Sequence, residues 1–339
     1  MFLTTDLYER MSEFRTVVDI PATTDKISYN SSLMFFGSCF SENIGERFVE
    51  RRFNASVNPF GILYNPASVK QGLDILIDKK LFDETMLFEH RGLWHSFYHH
   101  GRFSLPGRQE CFKNINEQIV DGYNKLAYAD YLFITFGTSW VYAKKEEKRI
   151  VANCHKLPAA TFNRYQLTVE EIVSSYIELI ERLKEFNPAL KIIFTVSPVR
   201  HWKDGAHGNQ LSKSVLLLAI NSLVSRFDNV TYFPAYELVV DDLRDYRFYD
   251  EDMLHPNKQA VDYIWKKLQE VSFDKSASEF VKAIERVVRA RNHRPLNPGT
   301  DEYMNFIKSE IVKLEDITRL FPDVNLENDL RFFNDIIIG

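Results

Sequence analysis

Four short apolar runs, "SLMFFG" (32–37), "DYLFITFG" (130–137), "LKIIFTVSP" (190–198) and "NVTYFPA" (229–235), punctuate a chain that is otherwise mostly helical in its periodicity. Each has the length of a strand buried on both faces of a parallel sheet, where polar alternation is not expected. Helical patterns fill the intervals, at 41–53, 66–78, 114–129, 168–186, 211–227 and 256–271. The pattern from 168 carries Ile172, Tyr176, Leu179, Ile180 and Leu183, a stripe suited to packing on a sheet. Strand–helix alternation of this kind predicts a doubly wound α/β domain, placed at residues 25–272 behind an N-terminal segment of residues 1–24. Residues 273–339 keep the helix period, broken by a Pro/Gly turn at 295–299, with no strand-like run before the terminal "DIIIG". They are expected to form a C-terminal helical extension packed on the main domain, with partner binding as the alternative.

Composition narrows the classes. With 45% hydrophobic and 14% aromatic residues among 339, the chain can build a sizeable core. A net charge of −5, from 42 basic and 47 acidic residues intermixed, offers no basic tract for a phosphate backbone, so nucleic acid is not an expected partner. The opening "MFLTTDLYERMSEFRTVVDIP" meets charges before any long apolar run and reads as neither secretory signal nor anchor. Nowhere do about 18 apolar residues run together, so no membrane span is expected. Three cysteines, Cys39, Cys111 and Cys154, are irregularly spaced. That is neither a disulfide framework nor a zinc pattern, and it suits a reducing, cytoplasmic setting without a metal.

In an open α/β sheet, ligands bind outside the carboxyl ends of the strands. The first run delivers Gly37, Ser38 and Cys39 there, directly before a helix. The third ends in "SPVRHWKDGAHGNQ", with Arg200, His201 and His207, and a late loop, "YDEDMLHPNK", sets Asp252 three residues before His255. A nucleophile at one strand end and an Asp–His pair from a late loop meet the needs of acyl transfer: the imidazole takes the nucleophile's proton and the carboxylate holds its tautomer. Two plainer readings stand beside this one. The Gly-Ser-Cys turn is also an ordinary helix start capped by Ser38, and His255 before Pro256 is also an ordinary polar entry to a helix.

"GSCF" after a buried strand and Asp-x-x-His before the last helix of the domain resemble the GSCFA family, a branch of the SGNH (GDSL-type) hydrolases. "NPFGILYNP", "FGTSWVYA", "NCHKLP" and "TVSPVRHWKDGAHGNQLSK" extend the resemblance over about residues 14–271. It implies a flavodoxin-like three-layer α/β/α sandwich and an esterase-like site that needs no cofactor. On that resemblance His255 is the general base, Asp252 its orienting carboxylate, and Gly61 of "NPFG" an oxyanion donor through its N–H. The superfamily's oxyanion asparagine falls at Ser139, so Thr138, Ser139 or Asn153 is left to substitute. Aligned without a gap, Cys39 occupies the nucleophile position, its thiolate favoured by a helix N-terminus, with Ser38 as cap; Ser38 as nucleophile needs a one-residue shift. The expected activity is hydrolysis or transfer of an ester or thioester, including O-acyl groups on carbohydrate. The alternative is a non-catalytic carbohydrate- or acyl-binding protein on the same scaffold.

Other polar residues keep two readings. Arg200 is either an anchor for an anionic part of the substrate or a salt-bridge partner, and His201 and His207 read as loop hydrogen-bonders rather than metal ligands. "HRGLWHSFYHHGRFS" (90–104) is either an aromatic wall of the pocket or a hairpin over the sheet edge. Cys154 and His155 are adjacent and point apart, a poor dyad, which leaves His155 and Lys156 as candidates for substrate contact. The acyl group, the acceptor and the oligomeric state are not readable from the residues.

Overall fold

A computed structural model describes residues 16–338. In chain order the strands are β1 (Ser32–Gly37), β2 (Asn54–Val57), β3 (Leu87–His90), β4 (Leu93–Ser96), β5 (Tyr131–Phe136), β6 (Trp140–Lys144), β7 (Ile150–Val151), β8 (Phe162–Gln166), β9 (Lys191–Val196) and β10 (Val230–Tyr232). The central sheet runs β2-β1-β5-β9-β10, every neighbouring pair parallel. This is the flavodoxin-like strand order, and its switch point lies between β1 and β5. The expected strands fall inside the four apolar runs. The edge strand β2 escapes that reading because its sequence, Asn-Ala-Ser-Val, contains no apolar run.

The main helices are α1 (Cys39–Glu50), α2 (Pro66–Ile77), α3 (Arg108–Ala127), α4 (Val169–Phe186), α5 (Gly205–Val224), α6 (Lys258–Ser272), α7 (Lys275–Arg291), α8 (Asp301–Leu320) and α9 (Glu327–Ile338). They divide between the two faces of the sheet as side-chain alternation requires. Met34, Phe36, Leu132, Ile134, Ile192 and Phe194 point into a core with α2 to α5. Leu33, Phe35, Tyr131, Phe133 and Ile193 point into a second core with α1 and α6. The helices α7 to α9 continue that second core through Phe280, Ile284, Leu314 and Phe333, so the helical extension packs on the α/β domain. Terminal "DIIIG" is not a strand; its residues through Ile338 close α9.

One buried ion cluster fastens the extension. Asp329 on α9 is fully buried and accepts from Arg52 Nε at 2.6 Å and Nη2 at 2.7 Å, and from Arg291 Nη1 at 2.7 Å. Burial pushes its carboxyl up, but the two guanidinium groups outweigh burial and hold it below the ordinary range. A separate antiparallel sheet, β7-β6-β8, stands over the carboxyl edge of the central sheet, where Trp140, Tyr142, Val151 and Arg164 wall a cavity. Among the described residues no helix is long and apolar enough to cross a membrane.

Candidate active site

The cavity opens at the switch point and has a volume of about 530 Å³, within the range of small-molecule sites. Ser38, Cys39, Thr138, Asn153, Arg200, His201 and His255 all line it. Asp252, Gly61 and Ser139 do not line it.

The Gly37–Ser38–Cys39 turn is held in an unusual backbone shape. Gly37 has φ +137°, and a Cβ there would come within 2.1 Å of Thr135 O, so only glycine fits. Its N–H donates to Asn58 Oδ1 at 2.9 Å and its carbonyl accepts from Leu63 N at 2.8 Å. "NPFGIL" therefore clamps the turn from both sides, and Asn58, fully buried, is the residue that does it. Gly61 serves the loop's own shape instead of an oxyanion. Its N–H is committed to Asn58 O at 2.7 Å, its φ is +75°, and a Cβ would meet His100 Cβ at 2.3 Å.

Cys39 is the first residue of α1 and is partly exposed in the cavity. Ser38 precedes it at the cap position, yet its side chain makes no capping bond, and its hydroxyl oxygen is buried without a partner. The expected serine cap is absent, and of the two side chains Cys39 is the accessible one. The thiol is not acidified as expected. Burial pushes it above its ordinary value, and the lowering by the Phe40 and Cys39 amides and by Lys213 does not compensate. Those same amides, at the start of α1, have no intrahelical acceptor.

Asp252 and His255 form the local unit that their spacing suggests. His255 Nδ1 lies 2.5 Å from Asp252 Oδ2, while Asp252 Oδ1 accepts from the N–H groups of Leu254 and His255 at 2.9 Å each. The backbone bond from His255 contributes most, followed by its ring, and together with Leu254 they pull the Asp252 carboxyl down to about 2. The loop is pinned on both sides: Asp250 N donates to His255 O at 2.8 Å, and Asn257 caps α6 while its amide donates to Arg247 O at 2.7 Å. With Nδ1 directed at the carboxylate, the ring's other nitrogen is free for chemistry.

The turn after β5 carries a hydroxyl relay. Ser139 is buried, accepts from Gln166 Nε2 at 3.1 Å and donates to Ser212 Oγ at 3.0 Å, which rules its hydroxyl out as an oxyanion donor. Ser212 Oγ also accepts from Ser139 N at 2.8 Å, so its own proton goes to Thr138 Oγ1 at 3.0 Å. Thr138 Oγ1 accepts from Trp140 N as well, at 3.2 Å, which leaves the Thr138 proton to point at the cavity. Asn153 Oδ1 accepts from His155 N at 2.8 Å, and its Nδ2 remains uncommitted among the described residues.

Next to Ser212, sequence reasoning passed over Lys213. It is wholly buried on α5, and its Nζ donates to Gly137 O at 2.6 Å and Ser197 O at 2.7 Å, tying the ends of β5 and β9 together. Its signal was present: helical spacing puts Asn209, Ser212 and Lys213 on the same stripe as Leu216, Ile220 and Leu223.

Arg200 makes no ion pair or hydrogen bond among the described residues, whereas Arg164 is paired with Asp204 and Lys203 donates to Tyr142 OH at 2.7 Å. His201 packs edge-on to Tyr64 at 5.6 Å, and a Cβ on Gly137 would come within 3.1 Å of its Nε2. Burial, with Lys213 next, lowers its pKa to about 4, so it is neutral. His207 is exposed on α5. The 90–104 segment is a hairpin rather than a pocket wall: β3 pairs with β4, and Trp94 bridges to Leu105. His95 is satisfied by Ser104 Oγ at 2.6 Å and His90 O at 3.0 Å, and His155 by Ser96 O at 2.8 Å, so His155 is a buried structural residue. Neither it nor Lys156 lines the cavity, but Cys154 does.

Fold and site together define a doubly wound α/β protein with a thiol and a His–Asp pair at the carboxyl edge of its sheet. The chain belongs to the GSCFA family, whose model matches residues 32–268; a second model, the C-terminal domain of GSCFA domain proteins, matches residues 284–338. No curated protein matches. Among solved structures, a carbohydrate esterase family 3 protein from Talaromyces cellulolyticus is similar at 10% identity with a TM-score of 0.26, the match covering 48% of this chain. It spans 65% of that chain, less than two thirds of its length.

Proposed function

We propose that this protein is an SGNH-like acyl hydrolase or acyltransferase acting on an ester or thioester through Cys39. One observation carries the reading: a partly exposed cysteine at a helix start shares a cavity with a histidine whose Nδ1 is held by a carboxylate at 2.5 Å. Cys39 Sγ attacks the acyl carbon, and the oxyanion is received by the first N–H groups of α1 and by the Thr138 hydroxyl. Cys39 reacts as the thiolate; His255, oriented by Asp252 and protonated, gives its proton to the leaving group and regains one from the incoming water or alcohol, which restores the thiolate and the imidazolium. Arg200, which makes no ion pair or hydrogen bond among the described residues, anchors an anionic group of the substrate.

The test is intact-protein mass spectrometry after brief exposure to an activated acyl ester, with peptide mapping. An adduct on Cys39 that turns over in the native protein and persists in His255→Ala is expected. An adduct on Ser38, or none on the folded protein with any of a series of anionic and neutral esters, overturns the assignment. The aromatic wall of Trp140, Tyr142 and Trp202 favours one second reading, a binding protein for carbohydrate or acyl groups. Ligand affinity that survives His255→Ala in a protein that never turns over selects it.

A further inference from the structure

A fully buried lysine without a carboxylate is costly, and proteins keep one where its charge or its proton is used. Lys213 is such a residue: it is 0% exposed and pairs with no acid among the described residues. Its two hydrogen bonds to Gly137 O and Ser197 O employ two of the three donors of an ammonium. Both carbonyls stand at the carboxyl ends of strands, beside the turn whose Ser38 N donates to Thr135 O at 3.1 Å. Ser197, Ser38 and Cys39 line the same cavity, and Lys213 lies behind its wall.

We propose that Lys213 is the internal base and counter-ion of Cys39. The inference rests on the Cys39 reading above and divides the proton chemistry between two residues. The neutral Lys213 amine takes the Cys39 proton: the S–H bond breaks, an N–H bond forms, and a thiolate faces an ammonium held by two carbonyls. The thiolate then adds to the acyl carbon. His255, half-exposed in the same cavity, gives a proton to the departing alkoxide or thiolate and regains one from the water that attacks the thioester, which releases the Cys39 thiolate beside the Lys213 ammonium.

Each group shifts the other in the direction an ion pair requires, against burial, which favours the neutral form of both. Burial brings Lys213 down to about 7, with Cys39 acting to raise it and Arg200 to lower it. Cys39 is raised by burial and by Glu42, and lowered by its helix amides and by Lys213. The other titratable groups around the pair are Tyr64, which feels Cys39, neutral His201, and Tyr236, whose ring centre is 5.9 Å from Lys213 Nζ. None of them supplies an anion at neutral pH, which leaves the thiolate that forms at Cys39 on attack as the charge Lys213 can answer. A purely structural role would not require charge: a glutamine amide can donate to the same two carbonyls.

That difference defines the test. In Lys213→Gln the fold should be kept, while the midpoint of Cys39 ionisation, read from thiolate absorbance against a Cys39→Ser blank, rises by about one pH unit or more, roughly a tenfold loss of thiolate. Reciprocally, the Lys213 midpoint, read by carbon NMR of Cε-labelled lysine, should fall in Cys39→Ser. A Cys39 midpoint that does not move in folded Lys213→Gln overturns the proposal. If that variant does not fold, an unmoved Lys213 midpoint in Cys39→Ser overturns it alone. These readings need no substrate. Coupling without an acyl adduct keeps the pair and removes the esterase; an adduct without coupling keeps the esterase and returns the thiol proton to His255.

Discussion

The clamp on the nucleophile turn predicts that Asn58→Ala damages the protein twice. Asn58 Oδ1 accepts from Gly37 N at 2.9 Å in a fully buried setting, so its removal leaves a backbone donor without a partner, at about 1–3 kcal/mol. Asn58 also sits at φ +46°, where alanine costs a further ~1–2 kcal/mol. One effect runs the other way: Asn58 Nδ2 is itself buried without a partner, and deleting it recovers on the order of 1 kcal/mol. The balance is a destabilisation of about 1–4 kcal/mol. Asn58→Gly separates the components, because glycine accepts the left-handed backbone and loses only the acceptor; the expected ranking is native, then Gly, then Ala. Urea unfolding followed by two independent probes gives the stabilities, and alkylation of Cys39 in the folded variants reports the turn itself. A change in stability under about 0.5 kcal/mol for Asn58→Ala would place it among ordinary surface substitutions. Together with an unaltered alkylation rate, that would refute the clamp.

Four further outcomes follow from the geometry. Asp329→Asn should lower stability by about 3–5 kcal/mol, since Arg52 and Arg291 lose their shared buried anion, and proteolysis should then cut the α7–α9 region first. Because the Asp329 carboxyl is depressed in the fold, its contribution is present above the unfolded value near 3.8 and is lost as pH falls through the lower folded value, so the native protein should lose its acid stability in that window and Asp329→Asn should not. Lys213 has the opposite sense. Its folded pKa of about 7 lies below the ordinary 10.5, so the unfolded chain holds more protons between them and burial is penalised most below about 7; Lys213→Gln should out-stabilise the native protein at neutral pH by a margin that disappears towards pH 10.5 in calorimetry. Gly61→Ala should reduce stability, read by urea unfolding, through its clash with His100 and its φ of +75°.

What the chain reveals in advance depends on how local each feature is. The buried strands β1, β5 and β9 are legible because a strand covered on both faces must be apolar throughout, and their order is then confined by the short crossovers. The edge strand β2 is not legible, since it owes its conformation to pairing with β1 and leaves its side chains partly exposed. The same division runs through the site. Asp252 and His255 are readable because three residues of separation bring their hydrogen bond within one loop. The oxyanion contacts are not, because whether an N–H is free depends on what the neighbouring loop takes: Gly61 looks like a donor until Asn58 O claims it, and Ser139 until Ser212 does.

Lys213 shows the remaining gap and its remedy. Within α5 a lysine and a serine occupy positions that the 3.6-residue repeat assigns to the buried face, alongside Leu216 and Ile220. Read only as a departure from amphipathicity, they weaken the helix. Taken instead as polar groups that burial must satisfy, they require acceptors at the helix's inner surface, and the nearest in a doubly wound fold are carbonyls at the carboxyl ends of the strands. That requirement alone brings Lys213 and Ser212 to the same edge as "GSCF" and "FGTS". A polar residue on an apolar stripe that faces the sheet's carboxyl edge is therefore a site candidate in its own right, and in this chain it identifies the partner for Cys39 that no spacing of Asp, His or Ser discloses.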